Sequence, residues 1–84
     1  MKVRVLYFAS LRERLGRDLE EVELAEGATV AGLLALLRAR GGAWAEALAE
    51  GRPVRAARNQ DMAKPGTPLA AGDEVAFFPP VTGG

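Results

Sequence analysis

The chain has 84 residues, 49% of them apolar, and its eleven Lys and Arg balance eleven Asp and Glu to a formal net charge of zero. That is room for one small domain, and a neutral chain lacks the bulk attraction for nucleic acid or an anionic membrane that a basic one has. There is no Cys, no His and a single serine, Ser10, which excludes disulfides, the usual zinc sites, thiol nucleophiles, imidazole acid–base chemistry and a Ser-His-Asp triad. No bound metal or cofactor is expected. Neither an apolar run near the ~18 residues of a membrane span nor a basic-then-apolar leader is present, so the expected location is the cytoplasm.

Residues 2–8 alternate as a strand, with Val3, Val5 and Tyr7 toward a core and Lys2, Arg4, Leu6 and Phe8 on the other face. Phe8 is out of place on a polar face. Ser10-Leu11-Arg12-Glu13 has the S-x-x-E form of a capping box, predicting a short helix closed by Gly16. Residues 20–24 alternate again, Val22 and Leu24 inward, and predict a second strand antiparallel to the first.

Thr29 is a good N-cap, and Val30, Leu33, Leu34 and Leu37 recur at helical spacing as a core-facing stripe. Arg38 and Arg40 suit the negative end of that helix dipole, and Gly41-Gly42 ends it. Residues 43–50 predict a shorter helix, with Trp44 and Leu48 at i,i+4 and Gly51 as a stop. A third strand over 53–59 reads as weak, because its Ala residues offer little to pack and its Arg residues prefer water. Asn59-Gln60-Asp61 is a turn, Met62 begins a short fourth strand, and Pro65-Gly66-Thr67-Pro68 breaks regular structure. After the Gly72-Asp73 turn, Glu74–Phe78 forms the last strand, with Val75 and Phe77 inward and Phe78, like Phe8, outward.

These elements predict an α+β roll over residues 1–78, a mixed sheet of four to five strands crossed by one main helix. Residues 79–84 are left as an extended tail: Pro79, Pro80, Val81, Thr82, Gly83, Gly84. The prolines favour extended polyproline geometry. Six residues reach about 20 Å, enough to enter another protein's active site. Gly83 and Gly84 offer no side chains to a core, and a backbone without Cβ can thread a narrow channel. The terminal carboxylate of Gly84 is therefore the expected functional group, and the domain its handle.

The order of elements resembles the β-grasp fold of ubiquitin. The ending Gly72-Asp73-Glu74-Val75-Ala76-Phe77-Phe78-Pro79-Pro80-Val81-Thr82-Gly83-Gly84 is similar to that of the molybdopterin synthase small-subunit family. The likeness continues through Val5-Leu6-Tyr7-Phe8-Ala9, Leu11-Arg12-Glu13, Trp44 and Asn59-Gln60, and so covers essentially the whole chain. Arg55-Ala56-Ala57-Arg58 departs from it by being more charged than the family's third strand.

That resemblance implies a sulfur carrier with no active site of its own. Gly84 would be adenylated with ATP by a ubiquitin-activating-type adenylyltransferase and converted to a thiocarboxylate. It would then donate sulfur, within a heterotetrameric synthase, to cyclic pyranopterin monophosphate, building the dithiolene of molybdopterin. A carboxylate is a poor electrophile at neutral pH, but its oxygen can attack the α-phosphorus of ATP, and the acyl adenylate then has a good leaving group. A thiocarboxylate carries a nucleophilic sulfur without any cysteine, in keeping with the composition. The resemblance further implies that Phe8, Met62 and Phe78 form a docking patch for the large synthase subunit, and that Arg12 lies near the activating-enzyme surface. Alternatives that share the ending are a sulfur carrier for thiamine biosynthesis or tRNA thiolation, and a ubiquitin-like modifier joined through Gly84 to lysines. An autonomous enzyme is disfavoured by the lack of His and Cys.

Overall fold

A computed structural model of the chain describes residues 1–51 and 53–79. Its elements are β1 (Lys2–Tyr7), α1 (Ala9–Leu15), β2 (Leu19–Glu23), α2 (Val30–Arg38), α3 (Gly42–Ala47), β3 (Arg55–Arg58), β4 (Asp61–Ala63) and β5 (Glu74–Phe78). The strands form one mixed sheet in the order β2-β1-β5-β3-β4. β1 and β5, the first and last strands, lie side by side and parallel, with Val5 opposite Val75 and Tyr7 opposite Phe77. The other pairings, β1 with β2, β3 with β5 and β3 with β4, are antiparallel.

Alternation decides which face of the sheet is covered. Val3, Val5, Tyr7, Val22, Val75 and Phe77 are buried, and they form one cluster with Val30, Leu33 and Leu37 of α2, whose helical spacing turns them to the same side. The N-cap of α2 is as read from the sequence, since Thr29 Oγ1 accepts a 3.2 Å hydrogen bond from the Gly32 amide. Asn59 and Gln60 have φ of +50° and +73°, the two-residue geometry that suits the twist of a tight hairpin, here β3–β4. The Asn59 side chain then clamps the start of β5: its Oδ1 accepts from the Glu74 amide at 2.9 Å, and its Nδ2 donates to Asp73 Oδ1 at 3.0 Å. The Ala70 amide donates to the other Asp73 oxygen, and this bond, with that from Asn59, holds the Asp73 carboxyl below the usual carboxylate range.

Several local expectations are corrected. The Ser10 capping box does not form: α1 starts at Ala9, its N-cap is Phe8, and no side chain caps it. The reason lies in the sheet, because the Phe8 amide extends the β1–β5 ladder to the Phe77 carbonyl at 3.1 Å and the helix turns off directly behind it. Phe8 consequently stands just outside the strand rather than within it. Strand β2 begins at Leu19, one residue earlier than predicted, since Leu19 pairs with Leu6. Helix α3 stops at Ala47. The third strand is not weak. It lies inside the sheet between β5 and β4, where the small Ala56 fits opposite the buried ring of Phe77 and Ala57 opposite Ala76.

Arg40 also leaves its predicted role at the helix end. Its guanidinium lies 4.4 Å from the centroid of the Trp44 ring and holds Glu20 in two hydrogen bonds of 2.8 and 2.9 Å. Glu20 also accepts from the Tyr7 hydroxyl at 2.8 Å and from Arg17 at 2.9 Å, so one carboxylate ties β1, β2, the α1–β2 turn and the residues after α2 together. Burial would raise the Glu20 carboxyl, but the bonds from Arg40 and Tyr7 outweigh it and hold it below its ordinary value. Burial, and then the bond to Glu20, push the Tyr7 phenol strongly up.

Because the Glu20 side chain is only 10% exposed, Glu20→Gln is expected to lower stability by about 2 kcal/mol at neutral pH, between the values for surface and buried pairs. A carboxyl depressed in the folded state stabilises above its unfolded value, near 4.3, and the contribution is lost as pH falls through the folded one. Urea unfolding between pH 7 and pH 3 should therefore show a steeper acid loss in the wild type than in Glu20→Gln.

Candidate docking face and tail exit

The side of the sheet away from α2 has no helix over it among the described residues. Cross-strand register sorts its side chains into rows, since paired residues point the same way. At one end Lys2 faces Glu23, and Arg4 lies between Glu21 and Glu74. The next row is wholly apolar and crosses all five strands: Leu19, Leu6, Ala76, Ala57 and Met62. Beyond it, at the end from which the chain leaves β5, Phe78 pairs with Arg55, and Phe8 follows Tyr7 in the adjacent strand.

Phe8 is 44% exposed, Leu19 53% and Met62 60%, while Leu6, Ala76 and Phe78 are half-buried. Water reaches Leu19 and Met62 most freely in this row. Exposed apolar surface of this kind makes the face a candidate interaction site. It is distinct from the core, as the outward Ala57 shows: it is buried by its neighbours yet belongs to no core cluster.

The structure thus brings Phe8, Phe78 and Met62 onto one face, as the sequence suggested, with Phe8 and Phe78 neighbouring and Met62 two strands away on β4. Pro79 follows β5 and is half-buried. Pro80, Val81, Thr82, Gly83 and Gly84 lie outside the described residues. Arg12 is exposed on α1, its amide donating to the Phe8 carbonyl at 3.4 Å, and its side chain has no ion-pair partner among the described residues. Sequence reasoning missed Leu6, Leu19, Ala57 and Ala76 as members of the patch. Leu6 had been read as outward, but only the register shows that the four meet Met62 in one line.

A helix crossing one face of a mixed sheet whose first and last strands run parallel at its centre defines the β-grasp, ubiquitin-like class. Within that class residues 5–84 match the model of the ThiS family, and the chain belongs to this family. It is 48% identical over 82 residues, 98% of this chain and 99% of the relative, to the molybdopterin synthase sulfur carrier subunit of Escherichia coli. Among solved structures it is similar to SAMP1 from Haloferax volcanii, with a TM-score of 0.79 and 31% identity over 100% of both chains. It is also similar to a chain in the complex of subunits 1 and 2 of molybdopterin-converting factor from Helicobacter pylori, with a TM-score of 0.69 and 25% identity over 100% of both chains.

The two faces should respond oppositely to truncation. Phe77→Ala, in the core, is expected to cost about 4 kcal/mol. Met62→Ala, on the open face, should change stability by less than about 0.5 kcal/mol. Urea titration of both variants checks the assignment, and a large loss in Met62→Ala would place that residue in the core.

Proposed function

We propose that this chain is the sulfur carrier subunit of a molybdopterin synthase. What carries the reading is an apolar row that crosses β5 two residues before its end, in a chain 48% identical over 98% of its length to a carrier of that name. The domain supplies a surface for holding a partner, and the tail supplies the reacting group. Such an arrangement delivers a chain terminus into another protein's active site and needs no active site of its own.

The chemistry then runs through Gly84. An oxygen of its carboxylate attacks the α-phosphorus of ATP on a ubiquitin-activating-type adenylyltransferase, and pyrophosphate leaves. A sulfur nucleophile attacks the acyl carbon, AMP leaves, and the terminus becomes a thiocarboxylate. On the large subunit this sulfur bonds to a carbon of cyclic pyranopterin monophosphate. Water then cleaves the acyl–sulfur bond and restores the Gly84 carboxylate, and two such deliveries supply the sulfurs of a dithiolene. Gly83 and Gly84 keep the threaded backbone free of Cβ atoms, while Pro79 and Pro80, followed by Val81 and Thr82, keep the approach extended. Phe8, Phe78 and Met62, joined by Leu6, Leu19, Ala57 and Ala76, form the surface that the large subunit covers. Arg12, exposed on α1, is assigned to the activating enzyme.

The likeness to SAMP1, a small archaeal modifier protein, favours a second reading in which the same activated terminus is passed to lysine amines. The readings separate by product. Isopeptide-linked conjugates in cell extracts, lost on deletion of Gly84, indicate the modifier, while stable binding to a thiazole synthase alone would indicate a thiamine carrier.

Intact-mass spectrometry after incubation with the activating enzyme, ATP and a sulfur source should show one oxygen replaced by sulfur, localised to Gly84. Gly84→Ala, or one residue appended after Gly84, is expected to abolish sulfur transfer without changing thermal unfolding, and retained transfer in either variant contradicts the mechanism. Phe78→Ala should weaken binding of the large subunit by about 2 kcal/mol, as for a buried aromatic anchor, and titration calorimetry measures it.

A further inference from the structure

The outer face of the sheet is electrically lopsided. Its acidic residues, Glu21, Glu23 and Glu74, all lie at the end away from the tail, in register with Arg4 and Lys2. The apolar row separates them from Arg55, which pairs with Phe78 at the tail exit and shares its face. Arg55 is exposed and has no ion-pair partner among the described residues. Lys64 is exposed beside it, immediately after Ala63, whose partner Ala56 adjoins Arg55. Among the described residues no carboxylate shares the rows of Leu6 and Phe78 on this face.

Arg55 also borders a cavity of about 150 Å³, open to solvent and otherwise lined mainly by apolar side chains, including Val30, Leu34, Val54 and Met62. Met62 belongs both to this lining and to the apolar row, so the cavity adjoins the row at the β4 edge of the sheet. An apolar recess lined in part by Arg55 suits a segment that carries a carboxylate next to an apolar side chain.

We infer that the large subunit partnered with this carrier seats an acidic segment on Arg55, with an adjacent apolar residue in the recess between α2 and β3–β4. The inference rests on the carrier reading above and deepens it by assigning partner selection to a residue outside the aromatic patch. Charges at an interface rim act chiefly on encounter rate and on its salt dependence. Arg55 would bias the encounter so that the basic end of the face meets the partner first, with the tail leading. Arg55 would also discriminate this chain's own partner from large subunits lacking the acidic segment.

The test is stopped-flow association of full-length carrier with the large subunit encoded in the same genome, from 20 mM to 500 mM salt. Arg55→Glu is expected to slow association at least tenfold at low salt, with the deficit closing at high salt. Arg55→Lys should keep most of the wild-type rate, and thermal unfolding should show that Arg55→Glu stays folded. Wild-type rates in Arg55→Glu at low salt, or a deficit that salt leaves unchanged, would overturn the inference. Failure of the wild type to bind is a different result, and it would overturn the carrier reading itself.

Discussion

Parallel pairing of β1 with β5 is the constraint on which the rest depends. A parallel pair cannot be closed by a tight turn, so everything between Tyr7 and Glu74 serves as the connection, including the helix that covers the core face. With β1 and β5 at the centre, the two ends of the chain's pairing are flanked by β2 on one side and β3–β4 on the other. The register of this pair also brings Leu6 beside Ala76 and leads Phe8 toward Phe78. The apolar row of the outer face is thus a by-product of the pairing that closes the core.

The two faces of the sheet use the same alternation for opposite purposes. On one side the stripe of α2 excludes water from Val5, Val75 and Phe77, and hydrophobic burial stabilises the fold. On the other side, Leu19 and Met62 remain wet and add little to the stability of the isolated chain. Two polar clusters lie at the margin: Glu20 gathers Tyr7, Arg17 and Arg40, and Asn59 with Asp73 fixes the start of β5. No buried side-chain polar atom among the described residues lacks a hydrogen-bond partner.

Much of this was legible in the sequence. Period-two alternation marked β1 and β5, helical spacing with Thr29 marked α2, and the inward residues of each were assigned correctly. What failed were features set by contacts between distant segments. Ser10-Leu11-Arg12-Glu13 satisfies the capping pattern, yet the ladder bond from Phe8 to Phe77 fixed the helix start ahead of Ser10. Residues 53–59 looked like a poor strand because an Ala-rich strand has little to pack on its own. Beside Phe77 its small side chains are what the space requires. Arg40 was read from its own helix, whereas its partners Glu20 and Trp44 come from β2 and α3. Single outward residues such as Phe8 and Phe78 could be picked out from pattern alone. Their assembly with Leu19, Leu6 and Met62 could not, because register is a relation between strands.

The position of β5 has a mechanical corollary. A strand whose trailing segment is gripped by another protein is placed under tension along its own axis. β5 is bonded on both flanks, to β1 and to β3, and its ladders run across the direction of pull. Traction on the chain end therefore loads those bonds together in shear, instead of unzipping them one after another from a free edge. An edge strand such as β4 could be peeled away. The strand that leads to the glycines, with a neighbour on each side, has no free edge from which to be peeled.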